Sequence, residues 1–484
     1  MYPKLLDRFW LNTFYGFGIL LLATILLSIY SENYYLLLIP CAFLFFFLSI
    51  HDSKTIYFIL IAMLPLSIEV ALPNGFATDF PTEPLIVGLM FLFIGYVLAK
   101  PALLDKEFFK SPVLFMLLIY YVWNLIATVY SSDVFISVKW LLAKTWYIVT
   151  FVFITGLLVK NLTQFKKMFW CFFLPLLFTV LYTLIRHARY AFSFETVNGQ
   201  MFPFFRNHVN YACMVAEVVP FVVLAISWYP KGSFKKRFLN YSFVLILLGV
   251  YFAYTRSAWL ALITALIMFF VIRAKWTKVA VISAFSLSIA FFVYMAVQNH
   301  YLNYAPNYET TVYHNALGEH LESTFEGQDV SSAERLYRWI AGIKMWVDKP
   351  WTGFGPGNFD TYYKSYTVNS FSTYVSANPE RSSIHNYFLL ILAEQGIIGL
   401  LLFMALTFFI FLKGQQIYNE TFSKEEKRYV MAVLLSLSII YVNTFLSDLI
   451  ETDKIGSFYF INIALLINQD IRNKKLLSRQ SLIS

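Results

Sequence analysis

Long apolar runs alternate with short polar connections along almost the whole chain. A helix that crosses the hydrocarbon layer of a membrane needs about 20 mostly apolar residues. By this measure the pattern predicts fourteen transmembrane helices, several of them short, at residues 13–30, 34–50, 55–72, 84–99, 112–130, 137–159, 167–185, 208–229, 238–254, 258–272, 278–298, 386–412, 429–447 and 455–468.

One long polar insertion interrupts this pattern between the eleventh and twelfth predicted spans. Residues 299–384 are mixed in composition and contain many Tyr and Asn, which favours a folded domain over a flexible tether. The sequence therefore predicts four parts: a transmembrane block at 1–298, a loop domain at 299–384, a second transmembrane block at 385–470 and a tail at 471–484.

Composition sets the fold class. The 484 residues are 59% hydrophobic and 13% charged, with a mean hydropathy of +0.63. These values predict an all-α polytopic integral membrane protein with 12–14 transmembrane helices. Lys4 and Arg8 precede the first apolar run, as in a signal peptide, but no small-residue cleavage site follows, so we expect a retained helix. The three cysteines all lie in apolar runs and are interpreted as packing residues: Cys41, Cys171 and Cys213.

The net charge of +9 does not indicate a nucleic-acid partner, because the basic residues form short clusters between the apolar runs. With the N-terminus in the cytoplasm, 24 of the 37 Lys and Arg residues fall in cytoplasmic connections and tails. Cytoplasmic loops of membrane proteins carry an excess of Lys and Arg. This rule predicts that both termini are cytoplasmic and that loop 299–384 lies on the opposite side.

Several charges lie within predicted spans or near their non-cytoplasmic ends, where a charge is costly and is usually kept for function. Two are carboxylates, Glu217 and Glu394. Four are cations, which predict a bound anion: Lys139, Lys144, Arg206 and Arg256. The alternative is that these cations extend along the helix to reach lipid headgroups.

The stretch SSAERLYRWIAGIKMWVDKP predicts a helix within the loop. Ser331 and Glu334 fit a capping box, and Pro350 marks the end. Arg335 lies on one stripe with Trp339, Gly342 and Trp346. Such a helix can lie at the membrane–water interface with Arg335 at the level of a lipid phosphate. Alternatively, it is a surface helix with a solvated Arg335.

The following stretch, PWTGFGPGNF, has the glycines of a phosphate-binding loop but no GK[ST] and no preceding strand. A Gly/Pro turn that returns the chain to the membrane is the better interpretation. His300, His314 and His320 lack the spacing of metal ligands, and we expect no metal site.

RSSIHNYFLLILAEQGIIG begins the next apolar helix. Capping by Ser382 or Ser383 places His385 in the first turn, where the helix dipole favours a neutral imidazole suited to a general base. Glu394, nine residues later, falls on the opposite face and about 13 Å deeper, which excludes a His–carboxylate dyad within the helix. Gly396 and Gly399 lie on the stripe beneath His385, with Leu389 and Leu392, and permit either a close helix contact or a slot for a lipid tail.

HNYFLLILAEQGIIG resembles the H-[NSQ]-x9-G-x-x-[GTY] signature of the bacterial O-antigen ligase and polymerase superfamily. Other elements occur in the order found in that superfamily: TRSAW after a span, then RLYRW and DKPWTGFGPGNF in the long loop. The resemblance covers roughly residues 200–412. Earlier residues match only as a series of spans, and ligases of this family typically have twelve spans where fourteen are predicted here. Either two short segments are re-entrant or the N-terminal block is extended.

The resemblance implies a GT-C-like, metal-independent, inverting glycosyltransferase that uses no cofactor and takes a glycan from undecaprenyl diphosphate. It implies that His385 deprotonates the acceptor hydroxyl and that Arg335 and Arg256, with Arg206 as a third candidate, bind the diphosphate. Further candidates for the site are Lys139, Lys144, Arg338 and Asn386. Glu394, Gly396 and Gly399 are assigned structural roles.

The leading functional hypothesis is an O-antigen ligase in the bacterial inner membrane, acting at the periplasmic face on lipid A–core, with membrane lipids and no nucleic acid as other partners. The alternatives are an O-antigen polymerase, which joins carrier-linked repeat units, and a protein O-oligosaccharyltransferase. A lipid-carrier transporter is the alternative outside enzymes, although it does not need a base at the start of a helix.

Overall fold

The computed structural model describes residues 8–71, 77–101, 105–304, 330–368, 371, 376, 378 and 383–480. Within these residues the protein is helical except for one short β-hairpin. The chain divides into two compact units, Met1–Leu60 and Ile61–Ser484.

The first unit contains α1 (Arg8–Ser31), a 3₁₀ turn (Tyr34–Leu37) and α2 (Leu38–His51). Its two long helices pack through aromatic rings. Trp10 of α1 meets the edge of Phe47 with centroids 5.7 Å apart, and Phe17 stacks on Phe43 at 6.1 Å. Helix α3 (Ser53–Met63) begins in this unit and ends in the second.

The second unit holds the remaining elements. The hairpin pairs β1 (Ile68–Ala71) with β2 (Ala77–Phe80) in antiparallel register, Ile68 opposite Phe80. The helices that follow are α4 (Thr82–Ala99), α5 (Lys106–Phe109), α6 (Pro112–Val129), α7 (Val134–Tyr147) continued by a π-helical segment (Ile148–Ile154), α8 (Thr155–Leu158), α9 (Leu162–Ala188), α10 (Val197–Gln200), α11 (His208–Ile226), α12 (Phe234–Phe252), α13 (Arg256–Arg273) and α14 (Thr277–Ala296).

After a 3₁₀ segment (Val297–Tyr304), the described chain resumes with α15 (Val330–Asp348) and α16 (Phe359–Tyr362), which continues as a 3₁₀ turn (Tyr363–Tyr366). The final long helices are α17 (Tyr387–Glu420), α18 (Lys424–Leu446) and α19 (Asp453–Gln480), with a 3₁₀ turn at Leu449–Glu451.

Among the described residues, eleven helical segments are long and apolar enough to cross a membrane. Three more helices coincide with predicted spans but miss that criterion: α3 is short, α12 begins with three basic residues, and α19 carries polar residues along its length. Each of the fourteen predicted spans thus overlaps a helix, and the class of all-α, multi-pass membrane protein is confirmed.

The predicted span at 55–72 is wrong in its second half. Helix α3 ends at Met63, and residues 68–71 form strand β1. The residue before a proline is disfavoured in the α conformation, and Pro65 follows Met63 by two positions, which stops the helix there.

Helix α17 is broken. Gly396 has φ 69° and ψ −172°, so the helix divides into 387–395 and 397–420. Only glycine adopts this backbone conformation at little cost. Helix α17 packs alongside α6 and α15, and α13 packs against α18.

Candidate functional site

His385 lies just before α17 and not in its first turn. The N-cap is Asn386, whose side-chain oxygen accepts a hydrogen bond from the Leu389 amide at 3.1 Å. Asn and Ser are comparably good N-caps, and a φ of 56° at His385 turns the chain immediately before Asn386. The predicted cap at Ser383 is therefore wrong, and Ser382 lies outside the described residues.

The imidazole of His385 is held in its neutral form. Burial and the neighbouring guanidinium groups of Arg338 and Arg335 lower its pKa to about 3. A protonated imidazole here would be poorly solvated and would repel both arginines. The sequence predicted a neutral His385 from the helix dipole, whereas the causes in the structure are burial and two cations.

Helix α15 brings these arginines to the His385 segment. Arg338 donates to the carbonyl of Ser383 at 3.1 Å, and the Trp339 indole N–H donates to the carbonyl of Ile384 at 3.0 Å. A side chain at Gly342 would overlap Ile384. Trp339 and Gly342, two members of the predicted stripe, therefore pack on the residues that precede α17.

The predicted capping box of α15 is wrong. Ser331 lies inside the helix, which already includes Val330. The Glu334 carboxylate instead accepts hydrogen bonds from Arg338 at 3.2 Å and from the Ser376 hydroxyl at 2.5 Å. Glu334 and Arg338 form a buried ion pair, which fixes the Arg338 guanidinium.

Arg335 is only partly buried, whereas Arg338 is almost fully buried. The two lie three residues apart on the same helix, and both act electrostatically on His385. Arg335, the leading candidate for binding an anion, and Arg338, a secondary one, thus both lie close enough to the imidazole to affect its pKa.

One acidic residue of this region was missed. Asp448, in the connection between α18 and α19, accepts a hydrogen bond from the Ser383 hydroxyl and lies near Arg338, while burial raises the pKa of its carboxyl. The stretch SDLIETDK places several acidic side chains in one short connection, and that density is the signal that could have identified Asp448.

The two predicted lysines have different surroundings. The Lys144 ammonium is buried and pairs with Glu451 at 2.9 Å, over the ring of Trp140. Lys139 is exposed on α7, and its charge acts on Glu83 of α4. The two lysines are therefore held in different acidic environments.

Arg256 and Arg206 come from neighbouring segments. Arg256 is the first residue of α13, and the hydroxyl of Thr255 before it donates to the carbonyl of His208, the first residue of α11, at 3.3 Å. Arg206 lies two residues before His208 and is exposed. The beginnings of α11 and α13 therefore meet near these two arginines.

A large apolar groove lies close to His385, and Phe388, three residues after His385, is one of its lining residues. The groove has a volume of about 690 Å³. Its walls come from α13, α14, α17 and α18, and two residues of α15, Ile343 and Trp346, also line it. Leu389 and Leu392, from the stripe predicted beneath His385, lie in the lining.

The predicted alternatives for Gly396 and Gly399 are resolved in favour of close contact. A side chain at Gly396 would overlap the carbonyl of Trp351, and one at Gly399 would lie 3.1 Å from the indole nitrogen of Trp123 on α6. Glu394, just before the break, hydrogen-bonds to the backbone of the Gly-rich segment that follows α15. The groove lies beside the glycines, on the leucine side of α17.

Residues 241–404 match the model of a protein family, Wzy_C, described as O-antigen ligase. This segment is similar to the O-antigen ligase family. It includes Arg256, Arg335, Arg338, His385 and Glu394 and ends before Asp448. Members of the O-antigen ligase family are glycosyltransferase-like ligases or polymerases, and the resemblance inferred from the motifs is confirmed. No curated protein sequence matches the chain.

Proposed function

We propose that the protein transfers a glycan from a polyprenyl diphosphate, undecaprenyl diphosphate in bacteria, to a sugar hydroxyl at the periplasmic face of the inner membrane. The observation that carries this proposal is that a neutral imidazole, two guanidinium groups and one wall of an apolar groove come together at the beginning of α17.

Each part of that combination suits one part of the proposed donor. The groove between helices of membrane-spanning length suits an apolar polyprenyl tail. Guanidinium groups bind phosphate oxygens through two parallel hydrogen bonds, so Arg335 and Arg338 suit the diphosphate. Arg256 and Arg206, at the beginnings of two neighbouring helices, are the further candidates for the same anion.

In the proposed reaction His385 is the general base. The acceptor hydroxyl attacks the anomeric carbon of the donor glycan, and its proton passes to the neutral imidazole. The bond between that carbon and the diphosphate oxygen breaks, and the electron pair leaves with the diphosphate. Attack from the side opposite the leaving group inverts the anomeric centre. The arginines stabilise the negative charge that grows on the diphosphate, so the proposal requires no metal or cofactor.

The acceptor distinguishes the two functions that the family allows. We propose a ligase, whose acceptor is lipid A–core, while in a polymerase the acceptor would be another carrier-linked repeat unit. A gene deletion followed by gel electrophoresis of the lipopolysaccharide separates them. The ligase proposal predicts loss of all polysaccharide from lipid A and accumulation of carrier-linked chains. A single repeat unit remaining on lipid A would instead establish the polymerase.

A further inference from the structure

Glu394 is a buried carboxylate whose two oxygens both bind backbone. It lies in the first half of α17, and only 3% of the residue is exposed. Its Oε2 accepts a hydrogen bond from the amide of Gly357 at 2.8 Å, and its Oε1 accepts one from the amide of Phe359 at 2.9 Å. The carboxylate therefore clamps two points of the segment that follows α15.

Backbone contacts join the same two segments at three further points. The Phe354 and Gly355 amides donate to the carbonyls of Ala393 and Glu394, at 3.0 and 2.7 Å. Beyond the helix break, the Ile397 amide donates to the carbonyl of Pro350 at 2.8 Å.

The approach of the two backbones leaves no room for side chains. A side chain at Gly353 would overlap the backbone of Glu394, just as one at Gly396 would overlap Trp351. Residues 350–359, which we call the clamp segment, therefore fit around the break in α17.

The clamp segment is also fixed on its other side. The Asn358 side-chain amide donates to the hydroxyl of Ser131, in the turn between α6 and α7, at 2.9 Å and to that of Ser137, in α7, at 2.8 Å. The Lys349 ammonium donates to the Ser132 hydroxyl at 2.7 Å. The end of α15 is thus tied both to α17 and to the α6–α7 turn.

This arrangement connects the two halves of the proposed site. The clamp segment follows α15, which carries Arg335 and Arg338. It is bound to α17, the helix that begins just after His385. We infer that Glu394 is a positioning residue, an inference that rests on the function proposed above. Its hydrogen bonds to Gly357 and Phe359 fix the position of the α15 arginines relative to His385. It touches neither donor nor acceptor.

The test compares Glu394→Gln with the native protein, both as full chains in lipid nanodiscs. Glutamine keeps the shape but retains one acceptor oxygen, and its NH₂ group faces an amide donor. Hydrogen exchange of the peptide containing Gly357 and Phe359 should become faster. With a polyprenyl diphosphate-linked glycan as donor, kcat should fall by about 10- to 100-fold, as for a small misplacement of reacting groups. The KM for the donor should change by less than about threefold.

Glu217→Gln is the matched control. Glu217 is also a buried glutamate within a membrane-length helix, with 0% exposure, and neither carboxylate oxygen has a hydrogen-bond partner in the described part of the chain. Its substitution should leave kcat and exchange in the clamp segment unchanged. If Glu394→Gln does not fold, Glu394→Asp serves instead. Its side chain is one methylene shorter, so hydrogen exchange should become faster at one of the two amides, of Gly357 or Phe359.

Two outcomes would overturn the inference. If hydrogen exchange in the clamp segment is unchanged in Glu394→Gln, Glu394 does not hold that segment. If exchange is faster but kcat and KM stay native, Glu394 holds the segment without positioning the arginines. Failure of the proposed function is separate. A native protein that transfers no glycan from such a donor contradicts that function, and the exchange measurement still decides whether Glu394 holds the clamp segment.

Discussion

At the scale of single residues, two opposed requirements apply to the pKa of His385 as a general base. A general base must be unprotonated, and a pKa of about 3 ensures this at neutral pH. The same low pKa makes the imidazole a weak base, and proton transfer is most efficient when the pKa of the base lies near the operating pH. A diphosphate bound by Arg335 and Arg338 would offset their positive charge. We therefore expect donor binding to raise the pKa of His385.

This expectation gives a pH dependence. The base works when unprotonated, so the rate falls as the pH drops through its pKa. The profile of kcat/KM reports the free enzyme, in which His385 stays neutral, and should be flat from about pH 8 down to about pH 5. The profile of kcat reports the donor complex, and its inflection should lie at higher pH. An inflection of kcat/KM near the ordinary imidazole pKa of 6.5 would contradict this arrangement.

Removal of the imidazole tests its role directly. His385→Ala should lower glycan transfer by about 10²- to 10⁴-fold, the usual contribution of a general base, while membrane insertion is unaffected. His300→Ala is the control, since this partly exposed imidazole stacks on Tyr294 with centroids 4.7 Å apart. Transfer rates and the amount of protein in the membrane fraction are the measurements. Native turnover in His385→Ala would eliminate the proposed base.

Sequence patterns proposed His385 and Arg335 as site residues but did not predict the long-range pairings around them. Ser383 and Asp448 lie 65 positions apart in the chain, and Lys144 pairs with Glu451 across 307 positions. Such pairings depend on which helix ends meet in space. The spacing of residues within one helix, the basis of the sequence argument, does not determine them.

At the scale of elements, the break in α17 makes the first half of this helix a separate unit bound to the clamp segment. Gly396 combines a positive φ with contact against the Trp351 carbonyl, so both its backbone and its missing side chain are required. The sequence indicated a close contact at this glycine but not the break. A continuous apolar run carries no signal that its backbone leaves the helix.

Gly396→Ala should therefore be strongly destabilising. The backbone conformation alone costs an alanine about 1–3 kcal/mol, and the overlap with Trp351 adds to that. Gly95→Ala in α4 is the matched control, because nothing lies within 4 Å of the added methyl group. The Gly95→Ala substitution should leave the free energy of unfolding unchanged or raise it by up to about 1 kcal/mol. Thermal unfolding in detergent measures both, and equal midpoints for the two variants would contradict the role of Gly396.

The helices themselves were predictable because apolar runs of this length rarely form anything else. The hairpin β1–β2 was not, since its first strand continues the apolar run of α3 and differs from it only after Pro65. The start of α17 was displaced by a few residues because three neighbouring residues, Ser382, Ser383 and Asn386, are all suitable caps.

At the scale of the whole molecule, the distribution of Lys and Arg predicts which end of the bundle faces the periplasm. The proposed reaction depends on this orientation, since α15 and the beginning of α17 must meet a donor presented at that face. The turn between α11 and α12, which holds Lys231 and leads into the basic first turn of α12, must then be cytoplasmic.

Cysteine labelling tests the orientation. In a chain whose three cysteines are replaced by alanine, Lys344→Cys on the exposed side of α15 should react with a membrane-impermeant maleimide in intact spheroplasts. Lys231→Cys, exposed in the turn between α11 and α12, should react only after lysis. The reverse pattern would place the candidate site in the cytoplasm and remove the proposed function.

The contribution of Ile343 and Trp346 to the wall of the groove has a consequence for donor chemistry. These residues belong to the helix that carries Arg335 and Arg338, so an occupant of the groove touches the same helix that is proposed to bind the diphosphate. Binding energy from a remote part of a substrate can assist the chemical step as well as affinity. Donors with a progressively shorter prenyl chain should lose kcat even at saturation. A kcat independent of chain length, with only KM rising, would mean that the lipid serves as a membrane tether alone.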